Sequence, residues 1–442
     1  MRVLILSAPV GAGHDAAAAA VAEELRLTGA DVGIVDGLAL LGVERLVVGG
    51  YRFQILHAAW SWRLLYRATR ARALIRLAGT ILARFASGRL IDRIAQAQPD
   101  VIVSAYPIVS AALAGLRRTA RLPYPCATLV TDFDPHPGWI HPDLDANLVV
   151  GEQGRTTRPI RPPIASSTPD ADARASVRGE FGIDMQTRVV LIVGGAWGVG
   201  NLEGAAHVVA GVPNAHAIVV TGQNARLHRS LVDDVTLAGA TILGFTHRMP
   251  ALMAASDVLI QNAGGLTCLE AFGAGLPVVI FDPLAGHGED NSRLLADAGL
   301  VTLTRGPTSL RDTLSSAEFW KNGAPGLAIR ARGLFDRPSP GEAVAALAGK
   351  QIAQPGHIRR LAPVVAISLG LGAWFIGENP PTGHDAGAPP KPPLHSHSSP
   401  PGGTRPPAMM PRESPQVRLA LSAIAEWSRG ESARLEGASD QR

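Results

Sequence analysis

The residues best suited to chemistry lie at 264–291, in GGLTCLEAFGAGLPVVIFDPLAGHGEDN. Gly264 and Gly265 open a turn ahead of a helix read over Leu266–Phe272, with Thr267 in its first turn. Bare backbone N–H groups at such a start, with the helix dipole behind them, attract phosphate. One turn further, Glu270 offers a carboxylate that can accept hydrogen bonds from paired hydroxyls such as those of a ribose. A second polar cluster, His287 to Asn291, follows the next apolar run, Val278–Phe281. In an open parallel sheet both clusters fall at the C-terminal ends of strands, where ligands bind. The local reading is a nucleotide-sugar site. The same pattern also serves an ordinary strand–turn–helix unit whose glycines are there for packing.

Two further groups stand at strand tips. Near the N-terminus, Gly11, Gly13 and His14 follow the apolar run Val3–Leu6 and precede an alanine-rich helix that begins at Asp15 and ends near Gly29. The motif is GAGH, not GxGxxG, so it is weak evidence for a dinucleotide. An imidazole at a helix start is kept neutral by the positive helix end, which suits a general base; a polar residue facing solvent is the alternative. The third group is TDFDPHPGW, Thr131 to Trp139, at the tip of the run Ala127–Val130. Asp132, Asp134 and His136 carry metal-capable groups, but their spacing matches no metal site.

These groups need a scaffold, and the apolar runs provide one. Val3–Leu6, Val32–Val35, Val101–Ser104, Ala127–Val130 and Leu148–Val150 read as buried parallel strands separated by helices. A second series begins at Val189–Val193, with Gly194, Gly195, Gly198 and Gly200 ahead of a helix over 201–210. It continues through Ala217–Val220, Thr241–Leu243 and a short helix over Met249–Ala255. Two successive series predict an α/β chain of two Rossmann-like domains facing a cleft, spanning 1–160 and 173–350. Between them 155–172 carries Pro159, Pro162, Pro163 and Pro169 and reads as an interdomain linker.

The chain has 442 residues, 46% apolar and 5% aromatic, with a formal charge of +4. That length allows two cores. Cys126 and Cys268 fall in different domains, which implies no disulfide framework and fits a reducing compartment. The N-terminus does not read as a signal peptide. The basic residues are concentrated at 38–93, where ten arginines from Arg45 to Arg93 face acids only at Glu44 and Asp92. Tyr51, Phe53, Trp60, Trp62, Tyr66 and Phe85 are interleaved, with many Leu and Ile. Basic, Trp-bearing helices lie well on anionic membranes, and Trp60, Trp62, Arg63, Arg67 and Arg70 are the candidate contacts. A nucleic-acid surface would not need so much Leu and Ile; a helical insertion with a solvated basic face is the alternative.

GAGH, TDFDPHPGW, GGAWG, TGQN, GFTHRM and GGLTCLEAFGAGLP, in that order, resemble the monogalactosyldiacylglycerol synthase and processive diacylglycerol glucosyltransferase family over about 1–348. More distantly the chain is similar to the N-acetylglucosaminyltransferase that makes lipid II. The resemblance implies a GT-B fold, an acceptor-binding first domain, a donor-binding second domain, and inversion without a cofactor or metal. It implies His14 as the base on an acceptor hydroxyl. It places Gly194, Gly195, Thr221 and Gly222 near the donor, Gly264, Gly265, Leu266 and Thr267 under its diphosphate, and Glu270 on its ribose. Phe245, Thr246 and Met249 match the surroundings of the uracil, and Asn291 closes the motif contacting the sugar. Gly13, Pro107, Thr131, Asp132, His136 and Trp139 are the candidate acceptor contacts. His287 and Gly288 stand where the family commonly has Gln and Glu, and Gln223 where an arginine is frequent.

The expected partners are therefore UDP-glucose or UDP-galactose, a lipid acceptor such as diacylglycerol, and an anionic membrane surface, with no nucleic acid. The expected location is the cytoplasmic face of the cell membrane. Rival readings are a transferase or epimerase with a soluble substrate, and a catalytically inactive lipid- or nucleotide-binding homologue. Beyond the resemblance, 361–377 is a run of uncharged residues after Arg359 and Arg360, read as a membrane anchor helix over 358–377, with a final helix that packs back on the first domain as the alternative. The Pro-rich stretch 378–442 reads as a disordered tail.

Overall fold

The computed structural model describes residues 1–348 apart from 58, 134, 152–155 and 166–170. The proposed anchor over 358–377 and the Pro-rich tail lie outside the described residues. No helix among the described residues is long and apolar enough to cross a membrane.

Two six-stranded sheets form the frame. The first holds β1 (Arg2–Ser7), β2 (Asp31–Asp36), β3 (Val101–Ser104), β4 (Cys126–Leu129), β5 (Ala146–Val149) and β6 (Thr157–Pro159) in the order β2-β1-β3-β4-β5-β6. The second holds β7 (Arg188–Val193), β8 (Ala215–Val220), β9 (Thr241–Leu243), β10 (Val258–Gln261), β11 (Val278–Phe281) and β12 (Thr302–Thr304) in the order β12-β11-β10-β7-β8-β9. Every pairing is parallel. The central strands are buried on both faces, which is why they read as unbroken apolar runs. Strand order reverses between β1 and β3 in the first sheet and between β7 and β10 in the second. A crevice opens at such points. The glycine loops at 11–13, 194–200 and 264–265 all leave strands that border them.

The stretch read as a linker is partly structural. Thr157–Pro159 is an edge strand, and Ile160 and Ile164 beyond it are buried. A proline costs no ladder bond on an outer edge, so its presence did not exclude a strand. Apolar residues of both sheets, including Val3, Ile5, Val189 and Leu191, join one core together with Ile160 and Ile164. The chain then returns. The Pro340–Ala345 helix is capped by a reciprocal Ser339–Glu342 pair, and the Gly341 N–H donates to Glu24 of the first half at 3.0 Å. Glu24 also pairs with Arg161 at 2.6 Å.

Between β2 and β3 the basic segment forms helices Gly37–Leu41, Glu44–His57, Ala59–Ala68, Arg72–Phe85 and Gly88–Ala97. Asp36 accepts from the Leu38 and Ala39 N–H groups and starts the first. The Arg72–Phe85 helix crosses Pro107–Arg118 backbone to backbone. A Cβ at Gly79 would sit 2.3 Å from the Ala111 carbonyl oxygen, and one at Gly115 would sit 2.2 Å from that of Gly79. Arg118 and Arg121 donate to the Arg76 and Ala83 carbonyls and lock the crossing. This helix exposes Arg72, Leu74, Arg76, Leu77, Arg84 and Phe85.

Candidate active site between the two sheets

His14 sits in the first turn of the Gly13–Leu27 helix, directly beyond β1. Its ring meets Tyr106 edge-on at 5.0 Å and Trp139 at 5.8 Å, and its Nδ1 lies 3.3 Å from Thr131 Oγ1. Burial lowers its pKa from the usual imidazole value, while Asp132, Asp15 and the Ala105 carbonyl pull the other way and His287 adds to the lowering. The balance is a neutral imidazole at pH 7, the form that accepts a proton. The TDFDPHPGW loop builds the wall beside it. Trp139 is buried and donates its indole N–H to Asp132 at 2.8 Å. The other oxygen of Asp132 faces Asn291 Nδ2 of the second half at 3.4 Å.

The second half meets this wall from across the crevice. Asn291 is fully buried in the His287–Asp297 helix, and a Cβ on Gly264 would lie 3.1 Å from its own Cβ. Leu266, first residue of the Leu266–Gly273 helix, lies so near the GAGH turn that a Cβ on Gly13 would sit 3.5 Å from its Cβ. His14, Leu266 and Asn291, on three helices, and Asp132, on the loop after β4, thus come to one place. Gly194, Gly195, Thr221 and Gly222 line the neighbouring tips of β7 and β8, and the Gln223 N–H donates to the Ala196 carbonyl at 2.8 Å. Phe245 is 48% exposed beyond β9, with Thr246 accepting from the Arg248 N–H at 3.0 Å and Met249 starting the next helix.

Glu270 lies one turn into its helix, and Thr267 is half-buried at the start. Burial raises the Glu270 carboxyl from 4.5 to about 7. A raised carboxylate favours the folded state at low pH and loses that contribution as pH rises from about 4.5 through about 7. Ionising it costs about 3 kcal/mol at about 1.4 kcal/mol per pH unit. Glu270→Gln should therefore raise the ligand-free Tm at pH 8 and leave it nearly unchanged at pH 4.5; calorimetry at the two pH values checks this.

The basic insertion reaches the site. Trp62 does not face outward: its indole nitrogen is buried, and its ring packs on Tyr51 at 4.8 Å and near His287 at 6.1 Å. The sequence pattern gave the insertion's basic and aromatic faces but not the partner each would meet, and here the second half supplies aromatic packing. Arg70 pairs with Asp290 at 2.9 Å, while Arg67 is exposed. The side chains of Trp60 and Arg63 lie outside the described residues. His136 clamps this helix: its Nδ1 accepts from the Gly138 N–H at 3.0 Å, leaving Nε2–H to donate to the Tyr66 carbonyl at 3.3 Å. Pro107 begins the helix after Tyr106 and lines the same corner. Sequence reasoning did not single out as site residues Tyr51, Tyr106 or Trp197, whose ring lies 5.8 Å from that of Tyr51; the position of Tyr106 at a strand tip was the available signal.

A family model described as monogalactosyldiacylglycerol (MGDG) synthase matches residues 14–157, and one described as glycosyltransferase family 28 C-terminal domain matches residues 189–316. The chain is 27% identical over 341 residues to a probable monogalactosyldiacylglycerol synthase 2 of Oryza sativa subsp. japonica, covering 69% of this chain and 71% of the rice protein. It is 24% identical over 398 residues to a processive diacylglycerol beta-glucosyltransferase of Bacillus mycoides, covering 83% of this chain and 98% of that one. Among solved structures it is similar to the spinosyn rhamnosyltransferase SpnG, with a TM-score of 0.54, 17% identity, and coverage of 78% of this chain and 100% of that one. The glycosyltransferase SnogD from Streptomyces nogalater gives 0.53, 16%, 79% and 100%. These two likenesses are of fold, the paired Rossmann-like arrangement called GT-B. With both family matches in chain order on that fold, the chain is a glycosyltransferase that joins a monogalactosyldiacylglycerol synthase domain to a glycosyltransferase family 28 C-terminal domain, and it is similar to the monogalactosyldiacylglycerol synthases and processive diacylglycerol glucosyltransferases.

Proposed function

We propose that this chain transfers a hexose, with inversion, from a UDP-sugar to the hydroxyl of a membrane lipid such as diacylglycerol. The observation that carries the reading is the meeting of His14, Asp132, Leu266 and Asn291 at one point between the sheets. Neutral His14 takes the acceptor proton as the oxygen attacks the anomeric carbon from the face opposite UDP. The bond to the diphosphate breaks, and negative charge gathers on its leaving oxygen. N–H groups at the starts of the Leu266–Gly273 and His287–Asp297 helices answer that charge. Glu270 holds the ribose hydroxyls, Phe245 covers the uracil, and Thr221, Gly222, Gly194 and Gly195 border the donor. Thr131, Pro107, His136 and Trp139 wall the acceptor side.

The exposed Arg72, Leu74, Arg76, Leu77, Arg84 and Phe85, with Arg67, give this half a face that suits an anionic bilayer surface. A lipid acceptor would then enter from that surface, at the cytoplasmic side of the membrane. The test is transfer to diacylglycerol in anionic vesicles with UDP-glucose and UDP-galactose offered in turn. Glycolipid from one donor is the expected result. Saturable UDP binding without product from either donor would remove diacylglycerol as the acceptor.

A further inference from the structure

Two buried side-chain nitrogens, Trp62 Nε1 and His287 Nδ1, have no hydrogen-bond partner among the described residues, and both belong to one cluster. Trp62 comes from the insertion of the first half; His287 comes from the second half, at the start of the helix that carries Asn291. The indole edge lies over Gly286: a Cβ there would be 3.0 Å from Trp62 Nε1 and 3.3 Å from Cδ1, and the backbone holds φ at +81°. Only glycine keeps this approach open. Tyr51 and Tyr66 complete the walls, with ring centroids 6.3 and 6.4 Å from that of His287. Asp132, which contacts Asn291, acts electrostatically on both His14 and His287, so the cluster adjoins the reacting centre.

Buried polar atoms are normally satisfied, and two orphans in one aromatic enclosure call for a ligand with hydroxyl groups. Aromatic walls suit the C–H faces of a pyranose, while an N–H donor and a ring nitrogen suit its hydroxyls. Resting on the donor reading above, we propose that Trp62 and His287 together form the subsite that grips the hydroxyls of the donor hexose, with Trp62 as a specificity-determining residue supplied by the opposite half of the molecule. The indole N–H donates to a sugar oxygen, and His287 bonds to a second one. The donor sugar is thus read only when the insertion helix Ala59–Ala68 lies against the Gly286–His287 turn.

The test compares UDP with UDP-glucose and UDP-galactose by calorimetric binding without acceptor, on the full chain and on Trp62→Phe, which keeps a ring and loses the N–H. In the unmodified protein one UDP-hexose should bind more tightly than UDP. In Trp62→Phe that advantage should fall about 10-fold, the worth of one buried hydrogen bond, while UDP affinity stays the same. The Tm of Trp62→Phe should hold or rise, because an unsatisfied N–H is removed; a merely structural indole would lower it. His287→Phe should erode the same advantage. If Trp62→Phe keeps the full preference for the UDP-hexose, or loses UDP and UDP-hexose affinity equally, the subsite assignment is overturned while the donor reading stands. If neither UDP nor either UDP-hexose binds the unmodified protein, the donor reading falls and the subsite with it.

Discussion

His14→Ala will lower kcat for lipid glycosylation by about 10²- to 10⁴-fold, the usual worth of a positioned general base, and leave UDP affinity intact. The two readouts separate because the imidazole stands on the first half, beside Thr131, Tyr106 and Trp139, whereas the groups assigned to UDP stand on the second. Its surroundings also set the pH profile. Burial is the largest influence and lowers the imidazole pKa, with Asp132 and Asp15 opposing. Protonation therefore requires a pH below the ordinary imidazole range, about 6.5. The acid limb of kcat/KM should fall below that value and vanish in the alanine variant. Asp132→Asn should move the limb further down, since the leading raising influence is gone. A limb above pH 7, or unchanged kcat in His14→Ala, would take the base role from this residue.

Arg178→Ala will destabilise the second half by about 3–5 kcal/mol, the cost of breaking a buried ionic network on one side. Arg178 is fully buried. Its Nε donates to the Ala255 carbonyl, Nη1 to those of Asp184, Met185 and Thr187, and Nη2 to Asp257. Asp257 in turn accepts from Arg174 and from the Val189 N–H, at the edge of β7 and β10. One guanidinium thus satisfies four carbonyls and part of a carboxylate, joining the Ala171–Glu180 helix to the start of two central strands. Lysine cannot copy this, because its ammonium lacks the planar fork. Arg178→Lys should recover less than half the loss in chemical denaturation, and full recovery would show that charge alone matters at this position.

The strands were the most legible part of the molecule. Val101–Ser104, Thr241–Leu243 and Val278–Phe281 match the sequence reading residue for residue, the other strands that were read differ by one or two residues at their ends, and the short edge strand Thr302–Thr304 was not read. Burial on both faces leaves a signature that alternation would blur. The strand Thr157–Pro159 was hidden by its prolines. The glycines at strand tips marked the crevice between the sheets that holds the candidate site. Which loops would touch across it did not, because the Asp132–Asn291 contact depends on how two separately folded sheets face each other. Trp62 shows the same limit. A basic, aromatic helix predicts a surface, and only the three-dimensional partner decides that one ring turns inward to His287. The use of His136 as a clamp on the Tyr66 carbonyl was likewise invisible in its motif.

The two passages of chain between the halves are one place in space. On the outward passage Arg161 donates its backbone N–H to the Pro338 carbonyl of the returning passage at 3.0 Å, and both are fastened to Glu24. Two chain segments stitched together in this way resist a twist of one half against the other, because such a twist would have to break the bonds that both segments make to Glu24 and to each other.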